Sequence, residues 1–71
     1  MDIALFGFDT ALQQMREHAI VRRQAWAEKG MVVLLVSFGG ELRLCKKLKT
    51  GSIGLWAATQ DDLLASDWEV V

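Results

Sequence analysis

The sequence predicts a small α+β domain: an N-terminal helix, a small antiparallel sheet of about five short strands, and a short helix before the last strand. Three observations predict it. Ala11, Leu12, Met15 and Ala19 recur at helical spacing, while Gln13, Gln14, Arg16 and Glu17 take the polar side. Met31 to Phe38, dense in β-branched and large apolar residues, and the alternating run Glu41 to Leu48 flank Gly39-Gly40, and two adjacent residues that tolerate positive φ are what a tight hairpin needs. Thr59 stands three residues before Asp62, and Leu63-Leu64 follow. That spacing predicts a capping box, in which each side chain accepts from the other residue's backbone N–H.

Taken in order, Phe8-Asp9-Thr10 opens the first helix, with Asp9 as its expected N-cap. The helix is expected to end near His18, an imidazole suited to the negative end of the helix dipole. Ile20 to Gln24 reads as a short strand leading to Trp26, and Ala27-Glu28-Lys29-Gly30 as a turn. Met31 to Phe38 and Glu41 to Leu48 form the hairpin strands. In the second of these, Leu42, Leu44 and Leu48 are expected on one face and Arg43, Cys45 and Lys47 on the other. Lys46 interrupts that alternation and predicts a bulge or a strand end nearby. Thr50-Gly51-Ser52 is a turn, Ile53 to Ala57 a strand carrying Trp56, Gln60 to Ala65 the short helix, and Asp67 to Val71 the closing strand.

At 71 residues, the chain is expected to be one domain spanning 1–71. A core of this size supplies roughly 3–5 kcal/mol, so a partner is a common support. The hydrophobic share, 52%, is high for so short a chain, and surplus apolar surface in a water-soluble protein points to association. Met31 to Val36 sharpens this point. A strand with one wet face alternates, and this one is apolar at every position. The helix covers one face; a second copy of the chain is the simplest cover for the other. The run is far short of the ~20 residues of a membrane span. No basic segment with an apolar stretch behind it opens the chain, so a cytoplasmic protein is expected.

No catalytic or metal-binding constellation emerges. Cys45 is the one cysteine and His18 the one histidine, so no Cys/His zinc site forms within one subunit. Asp61-Asp62 fall in a first helical turn, where acids favour the dipole. Neither glycine-containing turn matches the Gly-x-x-x-x-Gly-Lys-Ser/Thr phosphate loop. The chain is expected not to be an enzyme, and to need no cofactor. With net charge −1 it is not a general nucleic-acid binder either. Arg43, Lys46, Lys47 and Lys49 read first as protection of an edge strand, with a local phosphate site as the alternative. Trp26, Trp56 and Trp68 are all core on the plainest reading. Trp26 and Trp56, however, sit beside turns, where an indole can stack on a base for roughly 1–3 kcal/mol, and Arg22-Arg23 precede Trp26 closely enough to pair with phosphate.

The closing run Trp56-Ala57-Ala58-Thr59-Gln60-Asp61-Asp62-Leu63-Leu64-Ala65-Ser66-Asp67-Trp68-Glu69 resembles the end of the phage Thoeris anti-defence 2 family, roughly Trp-x-Ala-Ser-Gln-x-Asp-x-Leu-Ala-x-Asp-Trp-Glu. Phe8, Ala11-Leu12, Val21-x-Arg23-x-x-Trp26 and Lys29-Gly30-Met31 extend the resemblance through the front half. There are departures. His18-Ala19 stands near the family's usual Gly-Lys, Ala27-Glu28 replaces Asn-Gly, and the tight Gly39-Gly40 hairpin replaces a longer segment.

The resemblance implies a sponge, a small homo-oligomer, commonly a tetramer, in the host bacterial cytoplasm. It would bind a cyclic ADP-ribose-type or cyclic oligonucleotide immune signal and hold it without cleaving it. The ligand residues implied are Arg23 facing a phosphate, Trp26 or Trp56 stacking on a purine, and Thr59 and Gln60 beside it; Trp68 is assigned to the core. The competing reading is a protein-interaction or inhibitor module of phage origin with no nucleotide ligand. A single-stranded nucleic-acid binder ranks third and would be recognised by an affinity that falls steeply with salt.

Overall fold

A computed structural model of the chain describes residues 5–71; Met1 to Ala4, the start of the segment without a signal-peptide pattern, lie outside the described residues. Helix α1 spans Phe8–Arg16, strand β1 Val21–Arg23, and a 3₁₀ turn Gln24–Trp26. Strands β2 (Val32–Phe38), β3 (Glu41–Lys47) and β4 (Ile53–Leu55) follow, then helix α2 (Gln60–Leu64) and strand β5 (Trp68–Val70). The strands form one antiparallel sheet in the order β4-β3-β2-β1-β5. The chain thus leaves one edge of the sheet after β4 and returns at the other as β5, carrying α2 across on the way. The expected α+β architecture is the observed one.

Local chemistry accounts for most boundaries. Gly39 and Gly40 take φ of 58° and 85°, the pair of positive values that a type I′ hairpin demands. The β2–β3 ladder then runs unbroken from Phe38↔Glu41 to Val32↔Lys47. Lys46 therefore causes no bulge: it sits in register between Val33 and Gly54, and β3 ends one residue later. Leu48 falls beyond the strand, in a turn where its N–H donates to the Ser52 carbonyl. The first strands are also shorter than the sequence suggested, because β1 is paired only from Val21 to Arg23.

The ends of α1 differ from expectation. Gly7, in extended conformation, occupies the N-cap, and no side chain caps the helix. Asp9 lies instead in the first turn, where its charge meets the positive end of the dipole. At the other end the Ala19 N–H donates to the Gln14 carbonyl and the His18 N–H to the Met15 carbonyl, both at 3.0 Å. This is the Schellman pattern, and it requires a left-handed residue one place past the cap. His18 fills that place with φ of 72°. A side chain there costs about 1–2 kcal/mol of local strain, partly offset by glycine's greater freedom when unfolded. His18→Gly should therefore stabilise the protein, raising the thermal midpoint by several degrees in calorimetry, while His18→Val should lower it.

The two faces of the sheet differ. Val21, Val33 and Trp68 point to the α1 side, where they bury with Ala11, Met15 and Trp26, and Leu35, Leu44 and Trp56 pack against this cluster. The ladder places Val32, Leu34, Val36 and Phe38 on the opposite face, alongside Cys45, Ile53 and Leu55. Leu55 is 71% exposed and Phe38 and Ile53 are exposed as well. Among the described residues no helix covers this second face. Cys45, flanked there by Leu34 and Leu55, is buried, which makes it a small apolar filler rather than a reactive thiol.

Candidate functional site

The residues singled out in the sequence come from four separate elements, and the fold brings them into one neighbourhood. The 3₁₀ turn after β1 presents Trp26, the chain leaving β4 presents Trp56, and β5 opens with Trp68. All three indoles meet edge to face. Ring centroids lie 5.1 Å apart for Trp26–Trp68, 5.9 Å for Trp56–Trp68 and 6.1 Å for Trp26–Trp56. Phe8 at the start of α1 closes the group, 5.3 Å from Trp68 and 6.1 Å from Trp56. Edge-to-face contact matches the positive rim of one ring to the negative face of the next, worth about 0.5–1.5 kcal/mol per pair beyond burial.

Depth within the cluster separates the three. Trp68 is fully enclosed, and its Nε1 donates to the Asp62 carbonyl at 3.0 Å, which fastens α2 to β5. Trp26 is 7% exposed and belongs to the core. Trp56 is half-buried at the rim, and its backbone N–H continues the β3 pairing by donating to the Leu44 carbonyl. The expectation for Trp68 matches its position, whereas Trp26 lies deeper than a free stacking platform would.

Arg23 sits behind this cluster. Its Nε donates to Asp67 Oδ1 at 2.9 Å and its Nη1 to Asp62 Oδ1 at 3.1 Å, while the guanidinium carbon lies 5.9 Å from the centre of the Trp26 ring. The remaining carboxylate oxygens are also used. Asp67 Oδ2 accepts from the Ala25 N–H and Asp62 Oδ2 from the Thr59 N–H. With Thr59 Oγ1 accepting from the Asp62 N–H at 3.2 Å, the capping box read from the sequence is complete. Gln60, the first residue of α2, is exposed next to it. Sequence reasoning missed Asp62 and Asp67 as partners of Arg23. Both fall in the closing motif, yet no local pattern links residues 39 and 44 positions apart. The same holds for Arg22, which donates to the buried Glu69 at 3.0 Å on the other face.

The hydrogen bond from Arg23 holds the Asp67 carboxyl below the usual range, against the opposing effect of partial burial. A lowered carboxylate pKa contributes stability that is complete above the unfolded value of about 3.9 and is lost as pH falls through the folded value. Stability should accordingly drop with acid below about pH 4, and Asp67→Asn should flatten that part of the profile when unfolding is followed at successive pH values. Among the described residues no group of three or more His, Cys, Asp or Glu side chains is placed to hold a metal ion, and no helix is long and apolar enough to cross a membrane.

The fold and this site define a compact helix-on-sheet α+β domain built round an aromatic cluster and an arginine–carboxylate network. The family model of the Thoeris anti-defense 2-like domain matches residues 6–71, and the chain belongs to that family. Membership supports a role in Thoeris anti-defence. No curated protein matches the chain.

Proposed function

We propose that this protein binds and sequesters a cyclic nucleotide immune signal of the cyclic ADP-ribose type, acting as a homo-oligomer in the bacterial cytoplasm and leaving the ligand uncleaved. The observation that carries the reading is the convergence of Arg23, Trp26, Trp56, Thr59 and Gln60, which the sequence scatters over four elements. In the proposed site Trp56 offers the stacking ring, Gln60 and Thr59 the polar groups beside it, and Trp26 and Arg23 the layer behind. A hydrogen-bonding rim on an aromatic base suits a purine with its attached phosphates. No catalytic or cofactor role is assigned to any residue.

Association is part of the proposal. Two separate apolar areas are open to it: the sheet face where Phe38, Ile53 and Leu55 are exposed, and the outer side of α2, where Leu64 is 75% exposed. Two distinct self-complementary patches are what a tetramer with dihedral symmetry uses. The second reading, a protein-interaction module, draws on the same open face and would leave nucleotides without effect.

A thermal-shift screen against cyclic ADP-ribose-type and cyclic oligonucleotide ligands tests the function. Stabilisation follows RT ln(1 + [L]/Kd), about 2.7 kcal/mol at a hundredfold excess over Kd. A flat response across the whole panel would sink the nucleotide reading and favour the protein-interaction module. Thr59→Ala gives a second check. Loss of the N-cap should cost about 0.5–2 kcal/mol of stability, and ligand affinity measured by calorimetry should fall by more than that loss explains. Unchanged affinity would leave Thr59 as a cap alone.

A further inference from the structure

We infer that Arg23 is a positioning residue, a latch that holds the Trp26 turn and the turn leading into α2 in fixed relation, and not a direct partner of a ligand phosphate. For ligand binding this rests on the sponge reading; the latch itself does not. The geometry is specific. Each carboxylate divides its two oxygens, one to the arginine and one to a backbone N–H: Asp67 to Ala25, directly before Trp26, and Asp62 to Thr59, three residues after Trp56. One guanidinium therefore sets two stretches of main chain that lie far apart in sequence, and between them the Trp68 indole is tied to the Asp62 carbonyl. The Arg23 side chain is 20% exposed, and the Asp62 side chain 10%. Two carboxylates already face this one guanidinium, so a phosphate brought to its remaining N–H groups meets two negative charges as well as one positive. A guanidinium that turned away to meet it would leave a carboxylate with little water in its place.

Arginine is also the residue this task requires. Its Nε and Nη donors diverge in a rigid fork, so one side chain reaches two acceptors at fixed angles, whereas a lysine ammonium is a single point on a flexible stem. A residue that acted only through its charge would be replaced by lysine with little loss.

The test compares Arg23→Lys, Arg23→Met and Asp67→Asn in the full chain, with near-UV circular dichroism and acrylamide quenching of tryptophan as readouts, and cyclic ADP-ribose as the binding probe. A latch predicts that all three variants keep the far-UV spectrum, lose much of the aromatic near-UV signal and become more readily quenched, with no rescue by lysine. It also predicts that Asp67→Asn, although it leaves the arginine in place, weakens binding of the probe severalfold. A direct phosphate contact predicts the reverse: Asp67→Asn binds as well or better because a negative charge beside the guanidinium is removed, and Arg23→Lys retains both binding and the near-UV spectrum. Either of those outcomes overturns the inference. So does loss of the far-UV spectrum in Asp67→Asn, which would make the network a plain stabiliser. The spectroscopic results need no ligand, so a failure of every nucleotide to bind would remove the sponge reading while the latch stood or fell separately.

Discussion

Val33→Asp should give no folded protein, whereas Leu34→Asp should give a folded subunit that no longer associates. The two residues are neighbours in β2 and point to opposite sides of the sheet. Val33 is fully buried opposite Val21, under α1. A carboxylate placed there loses its hydration and gains no partner, because the cluster round it is made of Ala11, Met15, Val21 and tryptophan rings. Burying an unpaired polar group costs several kcal/mol, and a domain of this size holds only about 3–5 kcal/mol in total. Leu34 faces the other way, in register with Cys45, whose far neighbour is the exposed Leu55. A carboxylate there is wet in the lone subunit and costly only where a second copy covers the face. Far-UV circular dichroism reads folding and light scattering reads mass. A parent protein that ran as a stable monomer at micromolar concentration would refute the oligomer outright. A Leu34→Asp protein of unchanged mass would move the interface off this face, leaving the α2 leucines as its site.

The contrast between these two residues also shows what was legible in the sequence. An uninterrupted apolar run from Met31 to Val36 stated that both faces of β2 are apolar, and Gly39-Gly40 fixed the hairpin that decides which residues share a face. The capping box was readable because Thr59 and Asp62 are three residues apart and the chemistry is local. The misreadings were local competitions decided by neighbours. Asp9 lost the cap to Gly7 because the Ala11 N–H already bonds to the Gly7 carbonyl, so the helix begins two residues sooner. At Lys46 the strand end, one residue on, is the outcome observed and not the bulge, since a long side chain can hold register while its charged end reaches water. The core of the site was not legible, because it depends on β5 returning to pair with β1. That pairing sets Arg23 opposite Trp68 and Arg22 opposite Glu69. Sheet order is a tertiary fact, and it alone turned two arginines that read as phosphate contacts into partners of carboxylates near the end of the chain.

The tryptophans supply the other large expected effect. Trp68→Ala should cost about 3–5 kcal/mol, as a large aromatic removed from a closed core does, and that is enough to unfold the domain. Four contacts make the position unforgiving: the rings of Trp26, Trp56 and Phe8, and the Nε1 hydrogen bond that anchors α2. Its backbone also bonds in both directions to Phe6, at 3.0 Å each way, so the edge of the sheet is closed at this residue. Trp56→Ala removes a ring of similar size from the rim, where part of the space opens to water and refills with it. That variant should still fold and associate, and should no longer bind a cyclic nucleotide that the parent binds. Trp26→Ala belongs with Trp68 on burial and should lower stability more than Trp56→Ala does. Chemical denaturation of the three variants, followed by calorimetry with the ligand on those that fold, gives the order. If Trp56 proves essential to folding while Trp68 is dispensable, core and site have been exchanged. If Trp56→Ala folds and binds as the parent does, the rim of the aromatic cluster is not where the ligand stacks.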